Sequence, residues 1–241
     1  MVQIEGTTAV VTGGQRGLGR ALTTELLRRG ATKVYVTARS PRQEDDPRIV
    51  AVAVDVTDQT SIDALAAMAT DARIVINNAG IAGERQLLSA RMEDVIAIFE
   101  TNVFGALRVA QAFAPVLSAA PGSALVDIHS VMSWAAGSGA YGASKAAIWS
   151  MTNTLRLELR GAGVQVTGVH VSYIDTDMSV QVAASKMDAA AVAVAVVAGI
   201  ETGKSEVIVD PPSSYYKQRL AGPVEGLTFD ATMPTAAPAT A

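Results

Sequence analysis

The run Thr12-Gly13-Gly14-Gln15-Arg16-Gly17-Leu18-Gly19 most narrows what this chain can become. An apolar stretch, Thr7–Thr12, precedes it. Arg20–Arg29 follows as a helical pattern, with Leu22, Leu26 and Leu27 on one side and Gly30 as its stop. Buried strand, glycine loop and helix in that order read as one unit of a parallel sheet. Glycines let backbone N–H groups approach a pyrophosphate, and the helix N-terminus favours the anion. The spacing Gly-x-x-x-Gly-x-Gly differs from the Gly-x-Gly-x-x-Gly fingerprint, so a plain tight turn is the competing reading.

The alternation continues along the chain. Strands are expected at Lys33–Ala38, Ile49–Val56, Ile74–Ile76, Ser123–Ser130, Val164–Val171 and Glu206–Val209. Helices are expected at Gln59–Thr70, Met92–Leu117, Tyr141–Leu159 and Asp188–Glu201, the Met92–Leu117 pattern, third in the chain after Arg20–Arg29, being interrupted by Gly105 and Pro115. No repeat and no interdomain linker is visible, so the expectation is an α/β fold: a single domain over residues 1–232, built as one doubly wound parallel sheet of about seven strands in the order 3-2-1-4-5-6-7, flanked by helices. Its ligand crevice would lie at the carboxyl ends of the strands. After Pro211-Pro212 the composition turns to Pro, Ala, Gly and Thr, and residues 233–241 are expected to pack loosely.

Composition removes several function classes. The net charge of −4 gives no reason to expect a nucleic-acid partner. The chain has no cysteine and two histidines, His129 and His170, too few for an ordinary metal centre. No signal segment is apparent, and the most apolar stretch, Ala189–Ile200, is too short to span a bilayer, so no membrane partner and a cytoplasmic setting are expected. His170, inside an expected strand, reads as a packed core residue.

Two places carry candidate chemistry. Lys33–Ala38 ends in Ala38-Arg39-Ser40, where dinucleotide folds place an acid for a ribose 2′-hydroxyl or an arginine for a 2′-phosphate. Arg39, with Arg16 in the glycine loop, therefore favours NADP(H) over NAD(H). Asp55, at the close of the third strand, is placed to meet an adenine amino group, and Asn77-Asn78-Ala79-Gly80 forms a sharp turn facing the crevice. The second place runs from Asp127-Ile128-His129-Ser130 to Tyr141-Gly142-Ala143-Ser144-Lys145. Tyr141 and Lys145 share a helix face. An ammonium there would draw the phenol below its usual pKa near 10, and a serine hydroxyl can bind the same oxygen. The group can move a proton but not a hydride, which a cofactor must supply. Asn102, in an apolar helix, must find hydrogen-bond partners, either in such a site or as a structural bridge.

These residues together, over roughly 5–210, resemble the short-chain dehydrogenase/reductases of the single-domain, NADP-preferring type: Thr12-Gly13-x-x-x-Gly17-x-Gly19, Asn77-Asn78-Ala79-Gly80, Asn102, Ser130 and Tyr141-x-x-x-Lys145. The resemblance implies a Rossmann-like fold. It further implies Tyr141 as general acid/base, Ser130 orienting the substrate oxygen, Lys145 lowering the tyrosine pKa and binding the nicotinamide ribose, and Asn102 holding a relay water. Thr176 would bind the carboxamide. The implied cofactor-binding set is Gly13, Gln15, Arg16, Gly17, Leu18, Gly19, Arg39, Asp55, Val56, Asn78, Ala79, Gly80, Tyr141, Lys145 and Thr176. The reaction expected is NADPH-dependent reduction of a ketone or aldehyde, or the reverse oxidation of an alcohol, by a homodimer or homotetramer paired through the helices near 91–118 and 141–160. The apolar candidates Ile81, Met132, Trp134, Tyr173, Met178 and Val182 would wall the pocket, suggesting a hydrophobic substrate. A non-catalytic NADP-binding regulator is the alternative. Three departures stand out. Ser130 lies eleven residues before Tyr141, a little closer than usual, which leaves Ser133 as an alternative serine. Ser172-Tyr173 replaces the family's common Pro-Gly, with Tyr173 lining the pocket or packed under its loop. The segment from Met178 to Met187 is short for a lid.

Overall fold

Runs of valine, isoleucine and alanine without polar alternation make strands that are buried on both faces, which suits parallel pairing. The computed structural model, which describes residues 1–233 and 235, contains such a sheet. Its seven strands are β1 Thr8–Val11, β2 Lys33–Ala38, β3 Ile49–Ala53, β4 Ala72–Asn77, β5 Ala124–Ile128, β6 Gln165–His170 and β7 Glu206–Ile208. All pair in parallel in the order β3-β2-β1-β4-β5-β6-β7, the order expected.

Helices cover both faces. On one side α1 (Gly17–Arg28) and α6 (Ala189–Glu201) enclose Leu22, Leu26, Val192, Val196 and Ile200 against Val11, Val36 and Val126. On the other, α2 (Gln59–Met68) and the helix containing Phe113 and Leu117 bury Ile62 and Leu65 against Val10, Val75 and Leu125. Asp58 and Asp188 cap α2 and α6 with their carboxylates.

Two elements differ from expectation. Gly105 and Pro115 do not break the third helical pattern. α3 (Met92–Phe99) passes through a π-turn, Glu100–Phe104, directly into α4 (Gly105–Ser118). The turn absorbs one extra residue around Asn102 instead of ending the helix. Gly105 is needed for packing rather than as a stop: a Cβ there would lie 2.9 Å from the Val56 side chain. This 27-residue run is, by length and composition, apolar enough to cross a bilayer, although here its Val109, Phe113 and Leu117 pack on the sheet. The second difference is α7 (Pro211–Arg219), where irregular chain was expected. Asp210 caps it, proline occupies its first turn, and Lys217 and Arg219 sit in its last turn. Proline at a helix start lacks only an N–H that would have no intrahelical partner, so Asp-Pro-Pro was a start signal. Beyond α7, Met233 packs against the cluster of Trp134 and Tyr216, and the Thr235 hydroxyl meets Ser185 at 2.8 Å. The remainder of the expected tail, Pro234 and residues 236–241, lies outside the described residues.

Candidate active site

The turns after β1 and β4 are built as one object. Thr12 Oγ1 accepts from the N–H groups of Asn78 and Ala79, each at 3.0 Å. The Asn78 amide donates back to the carbonyls of Thr12 (2.9 Å) and Gly13 (3.3 Å). A Cβ on Gly19 would stand 2.2 Å from the Gly13 carbonyl oxygen, so only glycine lets α1 start this close to the loop. Gly13 and Gly17 have φ of 65° and 50°, in the left-handed region that glycine adopts without steric cost. Thr176 lies over the loop, its Cγ2 only 3.1 Å from where a Gly17 Cβ would be. Leu18, in the first turn of α1, is buried.

Other expected binding residues are held differently. The Gln15 side chain is engaged inside the protein, donating to the Arg42 carbonyl (2.6 Å) and Glu44 (2.7 Å) and accepting from the Arg42 N–H (2.8 Å). It therefore pins the β2–β3 connection to the loop. Arg16 and Arg39 are exposed and in no ion pair among the described residues. Asp55 accepts from the Thr57 N–H and hydroxyl, which, with the nearby Arg39 charge, hold its carboxyl below the usual range against the opposing effect of burial. Val56 is buried beside Gly105.

β5, α5 (Gly139–Glu158) and the π-turn assemble the second cluster. Ser130 leaves β5 in an extended conformation and its hydroxyl accepts from the Met132 N–H. The Ser130 hydroxyl lies close enough to the Tyr141 phenol to favour the phenolate, and it donates weakly to the Val171 carbonyl at 3.5 Å. Both hydroxyls can serve one substrate oxygen. The alternative, Ser133, is buried with its hydroxyl unpartnered among the described residues. Asn102 clamps the turn after β4: its Oδ1 accepts from the Ile81 N–H (2.8 Å), while its Nδ2 donates to the Ile81 carbonyl (2.9 Å) and Ser144 Oγ (3.0 Å). Both amide hydrogens are thus used in joining three elements, and the side chain has one Oδ1 lone pair left for a water.

One expectation is corrected. The sequence reading has Lys145 lowering the Tyr141 pKa. Instead burial pushes the phenol up, Ser130 opposes this, and Tyr173 adds to the rise. Lys145 donates to the Ile128 carbonyl at 2.7 Å and stands 5.7 Å from the Tyr141 ring centre. Burial also lowers its own pKa to about 8, with Asp127 opposing. An ammonium turned to a backbone carbonyl and itself poorly solvated has little influence left for the phenol.

Trp134 is also corrected as a pocket wall: it stacks on His170 at 3.8 Å between ring centres. Of the two roles left open for it, the contacts of Tyr173 show packing. Its ring meets Phe229 edge-on, and its hydroxyl accepts from Arg85 at 2.9 Å. Ser172 has a reason to replace proline: its N–H and hydroxyl both donate to Asp210 at 2.6 Å, and proline has no N–H to give. Ile81, Ala82, Val95, Ile98 and Ala140 border a hollow of about 280 Å³ beside the turn after β4. A larger depression of about 550 Å³, lined by Arg20, Arg28 and Arg48, lies away from all these groups.

Sequence reasoning missed Asp127, Thr152 and His129 as a buried polar group beside the site. Their signal was present: charged or ionisable residues inside an otherwise apolar strand must be paired.

The short chain dehydrogenase family model matches residues 7–187. An uncharacterized oxidoreductase of Myxococcus xanthus is 33% identical over 193 residues, covering 74% of this chain and 76% of that protein. A 3-oxoacyl-(acyl-carrier-protein) reductase of Vibrio cholerae is 31% identical over 189 residues, covering 74% of this chain and 78% of its own length. A short chain dehydrogenase from Burkholderia cenocepacia, solved in complex with NADP, is 37% identical with a TM-score of 0.88, covering 94% of this chain and 97% of its own. With the sheet order, the interlocked glycine loop and the Ser130, Tyr141 and Lys145 cluster, these matches place the chain in the short chain dehydrogenase family, as an NAD(P)-dependent oxidoreductase.

Proposed function

We propose that this protein is an NADPH-dependent carbonyl reductase acting on hydrophobic ketones or aldehydes, with Tyr141 as general acid/base. The observation that carries this reading is the Ser130 hydroxyl beside the Tyr141 phenol, with the buried Lys145 ammonium 5.7 Å from the centre of the phenol ring. The loop at Gly13, Gly17 and Gly19, closed to side chains and opening at the start of α1, fits a dinucleotide pyrophosphate. Arg16 and Arg39 are available to a 2′-phosphate. The nicotinamide cofactor supplies or accepts the hydride when bound. Tyr141 gives its proton to the carbonyl oxygen as negative charge develops there. Ser130 donates a hydrogen bond to the same oxygen. A raised phenol pKa keeps Tyr141 protonated at neutral pH, which suits the reductive direction. Lys145 and Thr176 are assigned to the nicotinamide end, and Asn102 holds the Ile81 turn and Ser144 in register with them.

Exposed Met178 and Val180 after β6, with the apolar hollow beyond Ile81, support a hydrophobic substrate. Exposed Met92, Ile96, Phe104 and Leu157 on α3, the π-turn and α5 support pairing of copies through these helices, as a homodimer or homotetramer. Light scattering on the eluting protein would show more than one copy, and a monomer at all concentrations would remove that assembly.

The deciding experiment titrates NADPH and NADH side by side by nicotinamide fluorescence, then assays activated ketones with the wild type and Tyr141→Phe. Tighter NADPH binding, turnover by wild type and loss of turnover in a variant that still binds NADPH are expected. Retained turnover in Tyr141→Phe would end its acid/base role, and NADH preference would end the arginine assignment.

A further inference from the structure

Both histidines of the chain lie in one buried row of hydrogen bonds that the reaction above does not use. Asp127 on β5 accepts from Asn77 on β4 (2.9 Å) and meets the Thr152 hydroxyl of α5 (2.7 Å). Thr152 Oγ1 meets His129 Nε2 (2.8 Å), His129 Nδ1 meets His170 Nε2 (3.1 Å), and His170 Nδ1 meets the Ser130 carbonyl (3.2 Å). Asp127, His129 and His170 are at most 2% exposed, and Thr152 is fully buried. Space is made for the row: a Cβ on Gly168 would stand 2.5 Å from the His129 ring.

Donor and acceptor counting restricts where the protons sit. The Ser130 carbonyl only accepts, so His170 always carries a proton on Nδ1. If Asp127 is a carboxylate, Thr152 donates to it, His129 donates from Nε2, and one of the two rings carries a second proton for the contact between them. Glu206, 3.4 Å from His170 Nε2, favours His170 as that imidazolium. If Asp127 is protonated, it donates to Thr152, Thr152 donates to His129 Nε2, and His129 donates from Nδ1 to a neutral His170. Both arrangements satisfy the contacts among these four side chains and the Ser130 carbonyl and contain the same number of protons; the Ile148 carbonyl, 2.8 Å from Thr152 Oγ1, competes for the one Thr152 proton. They interconvert when the His170 Nε2 proton passes to His129 Nδ1, the His129 Nε2 proton to Thr152 Oγ1, and the Thr152 proton to Asp127 Oδ2.

We propose that Asp127, Thr152, His129 and His170 act as a proton-sharing row that couples the charge of Lys145 to the Glu206–Lys217 pair and positions Ser130 through its carbonyl. The inference rests on the acid/base reading of the Tyr141 cluster only for its effect on turnover. The two ends of the row oppose burial. Lys145 and Arg156 of α5 favour an Asp127 carboxylate, and Glu206 of β7, 3.4 Å from His170 Nε2, favours an imidazolium. Lys217 of α7 pairs with Glu206 at 2.8 Å and disfavours that imidazolium, as Lys145, Arg156 and Lys217 disfavour charge on His129. Burial raises Asp127 and lowers both histidines, so the neutral arrangement is the resting one. A charged Lys145 draws the row toward charge separation. Loss of its proton, with a pKa of about 8, releases it.

Two measurements test this. The first uses the full chain labelled with 15N only in histidine, so that two imidazoles alone give signals. At pH 7 both rings should be neutral with protons on Nδ1. Thr152→Val, which removes the far end of the row, should change the signals of His170 as well as His129, and Thr152→Ser should restore both. Two rings titrating independently near pH 6.5, or a His170 signal untouched by Thr152→Val, would overturn the proposal. The second follows alcohol oxidation against pH. Asp127→Asn removes the carboxylate that holds the Lys145 pKa up, and Glu206→Gln removes the charge that helps Asp127 ionise, so a rising limb that follows Lys145 should move downward by on the order of half a pH unit. A purely structural role would lower kcat without moving that limb, and an unmoved limb in both variants would reject the coupling. The first measurement needs no turnover, so it judges the row even where the acid/base reading fails.

Discussion

The turns after β1 and β4 and the turns after β5 and β6 lie along the same edge of one sheet but are made of different materials. The first pair is held by backbone carbonyls, N–H groups, a threonine and an asparagine, with glycines where side chains would collide. No titratable group takes part in that interlock. The second pair rests on buried Asp127, His129, Lys145 and His170, whose charges depend on burial and on one another. Shape is fixed in one region and proton placement is adjustable in the other. A site that must hold a dinucleotide and also move a proton uses both.

Steric damage to the fixed region should have the largest effect. Gly19→Ala puts a methyl group against the Gly13 carbonyl and should abolish binding of both NADPH and NADH, with a loss of more than about 2 kcal/mol in urea unfolding. Normal binding by this variant would show the loop to be pliable. In the adjustable region, Ser130→Ala should lower turnover about 100-fold with little change in NADPH affinity, as expected for loss of a donor to the developing oxyanion. An unchanged kcat would move the serine role elsewhere.

Stability against pH separates the two regions next. The folded-state pKa values of His129 and His170 lie below their unfolded value near 6.5, so the unfolded chain binds more protons as pH falls below that value. Their contribution is complete above pH 6.5. It falls below it by up to about 1.4 kcal/mol per pH unit for each histidine, down to its folded pKa. Glu206, lowered to about 2, adds a loss between about 4.5 and 2. Asp127, raised by burial, acts in the opposite sense, its contribution falling as pH rises through its folded pKa. Unfolding midpoints at pH 7.5 and 5.5 should therefore differ for the wild type and much less for a His129→Gln/His170→Gln double variant. Equal differences would show that the histidines do not carry the dependence.

Arg39→Ala should weaken NADPH about tenfold and NADH little, measured by the same fluorescence titration. Equal loss for both would separate Arg39 from the 2′-phosphate. The smallest effect is expected for Ser133→Ala, because its buried hydroxyl has no partner to lose: turnover unchanged and stability altered by less than about 1 kcal/mol. A turnover loss matching that of Ser130→Ala would reopen the choice between the two serines.

Much of this was legible in residue order. Strand order and the glycine loop follow from local periodicity and a short motif at the end of a strand, while the grouping of Asn102 with Ser130, Tyr141 and Lys145 was implied by the family resemblance. The π-turn and α7 were harder to read. Gly105 and the two prolines of α7 have more than one local meaning, and packing against Val56 and capping by Asp210 select between them. Trp134 looked like a pocket residue only because His170, its stacking partner, lies 36 positions away.

The sequence by itself determined the alternation of strands and helices, the place of the crevice and the chemical kinds of group that face it. Those are properties of neighbours along the chain. Tertiary structure alone decided the charge state of those groups: that Lys145 turns to Ile128, that burial lifts the Tyr141 phenol, and that two histidines from adjacent strands meet beneath Ser130. Charge responds to desolvation and to partners brought from distant positions, and neither exists until the sheet has closed.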